Sequence, residues 1–189
     1  TSVMLSGSYM LFERHLAAPP VEAFADLKYT TPNISGRMDN LRATLLLAQM
    51  PELESNCKRW NDRYQALQSR LAQCAQIQLP HRPEAETYVG SSLQFRIDSL
   101  QAEQVAQFIA GCAARGVELK CFGGAEPQGF TSRYDSWRYA PAEPLPESDR
   151  ILAGLIDMRL PLTFSLDDCA LIARIIRSEV GAVYQKQPV

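Results

Sequence analysis

The sequence predicts an α/β protein of the α+β kind: a three-stranded antiparallel sheet with helices packed on one face and one long connecting helix. Three observations carry this expectation. Leu93, Phe95 and Ile97 alternate with Gln94, Arg96 and Asp98, the two-residue period of a half-buried strand. Leu53, Cys57, Trp60, Tyr64, Leu67, Leu71 and Cys74 recur in steps of four and three, the stripe of an amphipathic helix. A strand, a helix, a glycine and a second strand then follow one another between residues 92 and 122.

Each element has a local reason. Residues 1–32 keep no single period and are broken by Ala17-Ala18-Pro19-Pro20 and by Thr30-Thr31-Pro32, so they read as interrupted pieces at the edge of something else. From Met38 the pattern turns helical, with Met38, Leu41, Leu45 and Ala48 on one face, until Pro51 opens the long helix of residues 52–74. Pro80 and Pro83 break the link to the first strand. Ser99 is the expected cap of the next helix, whose buried stripe is Val105, Phe108, Ile109 and Cys112 and whose stop is Gly116. Val117, Leu119 and Cys121 form the second strand, ended by Gly123-Gly124. An aromatic-rich loop covers residues 123–146. A short helix over 147–155 leads into the third strand, Ile156 to Leu160, closed by Pro161. Ser165 and Asp168 make a capping box for the last helix, striped by Leu166, Cys169, Ile172, Ala173, Ile176 and Val180 and expected to stop at Gly181.

Composition excludes several classes. The 189 residues carry 19 basic and 21 acidic side chains, net −2, with signs interspersed, which gives no basic face for nucleic acid. No apolar stretch, Leu45 to Ala48 included, approaches the roughly 20 residues that cross a bilayer, and no charged-then-apolar leader is expected. Five cysteines, odd in number and without a CxxC pair, read as core hydrophobes in a reduced cytoplasm. His15 and His81 lie far apart, away from any zinc-type spacing. Neither a metal site nor a membrane or nucleic-acid partner is expected.

Residue chemistry alone is sparse. There is no GxSxG elbow, P-loop, GxGxxG or HExxH, and none of Lys28, Lys58, Lys120 and Lys186 lies in an apolar run that would lower an amine's pKa for Schiff-base chemistry. Thr1 opens the chain without a methionine, which fits processing, an engineered boundary or a fragment of something longer. An N-terminal threonine is also a nucleophile with its own amine as base, so an N-terminal threonine hydrolase is one alternative. A stand-alone α/β interaction module, paired through its long helix, is another. The stretch Asn33-Ile34-Ser35-Gly36-Arg37 lies directly before a helix, where free N–H groups and the helix dipole favour an anion. The same residues also read as an ordinary Ser35 or Asn33 cap with a solvated Arg37.

That stretch, continued through Met38, Leu41, Ala43 and Gln49-Met50, resembles the N-x-R-M-x-x-L-x-A-A-x-x-x-x-Q-L segment of the DegT/DnrJ/StrS family of pyridoxal-phosphate-dependent sugar aminotransferases. Arg59 and Tyr64 match the family's following helix, and Leu160-Pro161-Leu162 before a capped helix matches its carboxy-terminal segment, so the resemblance spans about residues 30–180. It implies a fold-type-I enzyme in which the segment's asparagine reaches the cofactor phosphate of the neighbouring subunit. By position that asparagine falls on Ser35, with Asn33 as the substitute through a shifted loop, while Arg37 matches the family arginine. The loop at 123–139 lacks the family's Tyr-x-x-x-His character. No Ser-x-x-Lys before a glycine cluster is present, so the cofactor lysine is expected in a large domain upstream.

The resemblance thus implies residues 1–32 as a remnant of that large domain and 33–189 as the carboxy-terminal small domain. The complete enzyme would be a cytoplasmic homodimer moving an amino group from an amino-acid donor to a nucleotide-linked keto-sugar. This chain alone would be inactive, without a catalytic residue of its own and without binding pyridoxal 5'-phosphate, its contribution to the cofactor site being Asn33, Ser35 and Arg37.

Overall fold

A computed structural model describes residues 38–124 and 134–185. The chain divides into two compact units, Thr1–Leu47 with Ala125–Pro146, and Ala48–Gly124 with Glu147–Val189. Helix α1 (Asn40–Gln49) begins in the first. That unit also holds a 3-10 turn at Tyr134–Ser136, the Trp137–Tyr139 ring stack, and a hydrogen bond from the Leu145 N–H to Tyr134 Oη at 3.0 Å.

The second unit holds the sheet and its core. Strands β1 (Ile77–Gln78), β2 (Ser92–Ile97), β3 (Lys120–Cys121) and β4 (Leu155–Arg159) form one antiparallel sheet in the order β1-β2-β4-β3. The three expected strands are present, and β1 is a fourth. It is only two residues long, too short for a two-residue period to show in sequence. Leu93 pairs with Met158 and Phe95 with Ile156, so the apolar residues of β2 and β4 share one face. Helices α2 (Leu53–Leu71), α3 (Ala102–Ala114) and α5 (Leu166–Gln185) contribute the rest of the core. Tyr64, Leu67 and Leu71 of α2, Phe108 and Cys112 of α3, and Cys169, Ala173, Ile176 and Val180 of α5 are fully buried. Phe95 meets Phe108 edge-on at 6.5 Å between ring centroids, a favoured aromatic geometry. Helix α4 (Pro146–Ala153) leads into β4.

Three expected details differ, each for a visible reason. Helix α3 is capped by Gln101, whose N–H donates to Gln104 Oε1 at 2.8 Å; Ser99 instead sits exposed at φ +65° in the preceding turn. Its end is as expected: Gly116 takes φ +82°, its N–H donates to Ala113 O and that of Val117 to Cys112 O, a Schellman closure. That closure uses the Val117 amide, so although Val117 and Leu119 are buried in alternation with Glu118, only Lys120 and Cys121 pair with β4. Helix α5 continues past Gly181 to Gln185, because Val180 and Val183 are buried and the Tyr184 hydroxyl donates to Asp98 O. Tertiary burial there outweighs the cost of about 1 kcal/mol that glycine carries in a helix.

Candidate functional site

Asn33, Ser35 and Arg37, the residues expected at a cofactor phosphate, lie outside the described residues, as does Thr1. The description starts at Met38, and the cap of α1 is Asp39. Its Oδ1 accepts the Arg42 N–H at 2.8 Å and its Oδ2 pairs with the Arg42 guanidinium. The Arg42 backbone hydrogen bond holds the Asp39 carboxyl below the usual carboxylate range. A carboxylate thus already answers the dipole at this helix start, so an anion near residues 33–37 would depend on groups before Asp39. An aspartate three residues ahead of the amide it caps is itself a sequence signal, one that the preceding serine and asparagine overshadow.

Sequence reasoning also missed the role of Arg63. On α2, Arg63 Nε donates to Phe164 O at 2.6 Å and Nη2 to Leu162 O at 3.0 Å, while Arg59 reaches Leu162 O at 3.4 Å. The two arginines strap the turn after β4, including Leu162 of the Leu160-Pro161-Leu162 motif, to the long helix. Their spacing of four residues on one helix was the available signal. On the other side of the same helix, Tyr64 and Asn61 hold the segment that leads to β2. Arg82 lies over the Tyr88 ring at 4.1 Å and the Tyr64 ring at 5.3 Å, and Asn61 accepts from Gly90 N–H at 2.7 Å and donates to Tyr88 O at 3.1 Å. The arginine and tyrosine positions of the family-like helix therefore serve as anchors.

The face of the sheet opposite the core carries polar side chains. In register across it lie Gln94, Asp157 and Lys120. Asp157 is the one buried charged residue among the described residues, 7% exposed, and accepts from Gln94 Nε2 at 2.6 Å. Arg96 Nη2 donates to Gln78, and its Nε lies 2.6 Å from Asp98 Oδ1 as an ion pair without hydrogen-bond alignment. A cavity of about 510 Å³ opens beside the β3 edge, walled by Ile109, Val117, Leu119, Met158 and Phe164, with Lys120, Asp157 and Arg159 among its lining residues.

This arrangement can bind and position, but among the described residues it encloses no amine. Lys58 is paired with Asp62, its side chain 76% exposed, and Lys120 is exposed on an edge strand. Burial pushes the Cys112 thiol up to about 12, helped by the Glu179 carboxylate, and raises Cys121 and Cys169 as well, so these sulfurs stay protonated and unreactive near neutral pH. Among the described residues no group of three His, Cys, Asp or Glu could hold a metal ion. The described residues likewise do not by themselves fit an aldehyde cofactor: no amine is enclosed, and the helix start is filled by Asp39.

Residues 12–177 match the family model of the DegT/DnrJ/EryC1/StrS aminotransferases. The chain belongs to that family. Membership fits the strapped long helix, the helix-covered antiparallel sheet and the Leu-Pro-Leu turn before α5, and the family is pyridoxal-phosphate-dependent. Solved structures share the fold at low identity. The aminotransferase TlmJ from Streptoalloteichus hindustanus superposes with a TM-score of 0.64 at 16% identity over 82% of this chain and 40% of its own. The sugar aminotransferase Spr1654 from Streptococcus pneumoniae, in its PMP form, gives 0.63 at 17% identity over 81% and 38%. DesI, solved in the presence of its TDP-sugar product, gives 0.60 at 16% identity over 76% and 36%. The chain therefore spans well under half the length of these structures. No curated protein matches it.

Proposed function

We propose that this chain is the carboxy-terminal small domain of an aminotransferase acting on a nucleotide-linked keto-sugar, with residues 1–32 belonging to the large domain and 33–189 to the small one. The whole enzyme would be a cytoplasmic homodimer using pyridoxal 5'-phosphate and an amino-acid donor such as glutamate, and the chain alone would be inactive. One observation carries the reading: a family match over residues 12–177 is combined with described residues that enclose no amine able to hold the cofactor. The sugar assignment draws on the family resemblance, on a neighbour named a sugar aminotransferase and on one solved with its TDP-sugar product. Asn33, Ser35 and Arg37 would then complete the phosphate site of the adjoining subunit. Among the described residues no helix is long and apolar enough to cross a membrane.

Incubation of the 189-residue chain with pyridoxal 5'-phosphate, borohydride reduction and peptide mass mapping test this directly. The expected outcome is sparse, substoichiometric labelling spread over exposed lysines and no conversion of glutamate to 2-oxoglutarate. Stoichiometric labelling of a single lysine together with that conversion would show a complete active site and overturn the proposal.

A further inference from the structure

The ladder between β3 and β4 stops one rung short. Lys120 pairs with Asp157 and Cys121 with Ile156, so the next hydrogen-bonded rung in this register would join Glu118 to Arg159. Along β4 the backbone groups point alternately to the two neighbouring strands. Leu155 O accepts from Phe122 N–H on the β3 side, and Leu160 N–H donates to Ser91 O on the β2 side, each at 3.0 Å. Arg159 therefore turns its N–H and C=O toward β3. Among the described residues, neither those groups nor the N–H and C=O of Glu118 have a backbone partner there. Between them lies the cavity of about 510 Å³, lined by both residues and walled by Val117, Leu119, Met158, Phe164 and Ile172. Every one of these residues belongs to the second unit. Small-ligand pockets span roughly 300–1,000 Å³, and this one falls within that range.

We infer that the cavity binds a small neutral molecule with an apolar body and a carboxamide end, the carboxamide closing the missing rung. Backbone N–H and C=O groups that face a cavity instead of a strand call for an acceptor and a donor together. A carboxamide supplies both; a carboxylate cannot donate and an ammonium cannot accept. Charge selects in the same direction. Glu118 and Arg159 are opposed across the gap and Asp157 and Lys120 are paired beside it, so the lining carries two carboxylates and two cations that balance. An ionic end of either sign would lose water on entry and meet a like charge as well as an opposite one. The body of the ligand is taken by the walls, of which Val117, Leu119 and Met158 are buried and apolar.

Ligand-observed NMR titration of the 189-residue chain with four probes of one shape tests the site: 4-phenylbutanamide, its N,N-dimethyl amide, 4-phenylbutanoate and 4-phenylbutylammonium. The primary amide should bind saturably with a Kd below about 1 mM, and the other three at least about tenfold more weakly, the loss expected from one unmade hydrogen bond or one unbalanced charge. Ala113 lines the cavity and is exposed on α3, so Ala113→Trp should fill the mouth, keep the far-ultraviolet circular dichroism spectrum and weaken the amide by about tenfold or more. Ala106→Trp, exposed on the same helix and away from the cavity, should leave binding unchanged. The ranking of the four probes on the unaltered chain stands whether or not either variant folds. No saturable binding up to about 10 mM would overturn the inference. So would equal binding of all four probes, a carboxylate or ammonium that binds more tightly than the amide, or a folded Ala113→Trp chain that binds like wild type.

Discussion

Replacing Arg63 with alanine removes the strap between α2 and the turn that launches α5. The guanidinium makes two contacts across about a hundred residues of sequence, to Phe164 O at 2.6 Å and Leu162 O at 3.0 Å, besides one to Arg59 O within its own helix. Hydrogen bonds from a charged donor contribute about 1.5–3 kcal/mol each when well shielded. Arg63 is half-buried, so water can replace part of what is lost, and the low end applies. The expected destabilisation is about 2–3 kcal/mol, a fall in Tm of roughly 5–10 °C for a chain of this size. Arg63→Lys should recover less than half, because an ammonium has no planar fork to span two carbonyls. Arg59→Ala removes one 3.4 Å contact to the turn and an exposed one to Asn56 within its own helix, and should cost no more than about 0.5 kcal/mol. Urea unfolding followed by circular dichroism measures all three, with the slope against urea unchanged. If Arg63→Ala lies within about 0.5 kcal/mol of wild type, or Arg59→Ala matches it, the strap is not what holds this turn.

Two further perturbations probe α5. Asp168 accepts from the Ser165 N–H and hydroxyl at 2.8 Å each, and these bonds hold its carboxyl below the usual range. A folded-state pKa below the unfolded one gives stability that is fully present above about pH 4 and lost as the pH falls through the folded value. The unfolding free energy of Asp168→Asn should therefore fall less steeply than that of wild type as the pH is lowered below about 4; identical slopes would remove the cap from the account. Gly181→Ala should stabilise by about 0.5–1 kcal/mol, since a methyl there meets nothing within 4 Å in a helix that runs on to Gln185, and a lower Tm by calorimetry would contradict it.

The elements that sequence revealed are those whose period is long and whose burial is one-sided. Leu93, Phe95 and Ile97 alternate because one face of β2 is covered by helices, and Ser165 with Asp168 marks a helix start because the reciprocal bonds are local. What stayed hidden depends on contacts distant in sequence. β1 exists because Ile77 and Gln78 find Ile97 and Arg96. The continuation of α5 past Gly181 is fixed by Val183 in the core and by Tyr184 reaching Asp98. Arg63 and Asp157 read as surface charges until the fold brings a carbonyl pair to one and Gln94 to the other. The expected phosphate-site residues Asn33, Ser35 and Arg37 gain meaning from family resemblance, while Asp39 takes the capping role that the sequence offered to Ser35 or Asn33.

The two ends of the long-helix pattern follow different physics. From Tyr64 onward the stripe of α2 is buried against the sheet and α5, and that core is complete within its own unit. Leu53 at the start of the same stripe is 55% exposed, as are the leucines of α1 to a similar degree. Sequence periodicity reports that a face will be covered and is silent on whether the cover comes from the same unit. The distinction is measurable, because substitutions at the two ends of the pattern should separate. Arg63→Ala lowers unfolding stability inside the self-contained core. Leu41→Glu/Leu45→Glu, at exposed positions, should change the unfolding free energy by no more than about 0.5 kcal/mol. A double variant destabilised as much as Arg63→Ala would show that α1 is covered within its own chain.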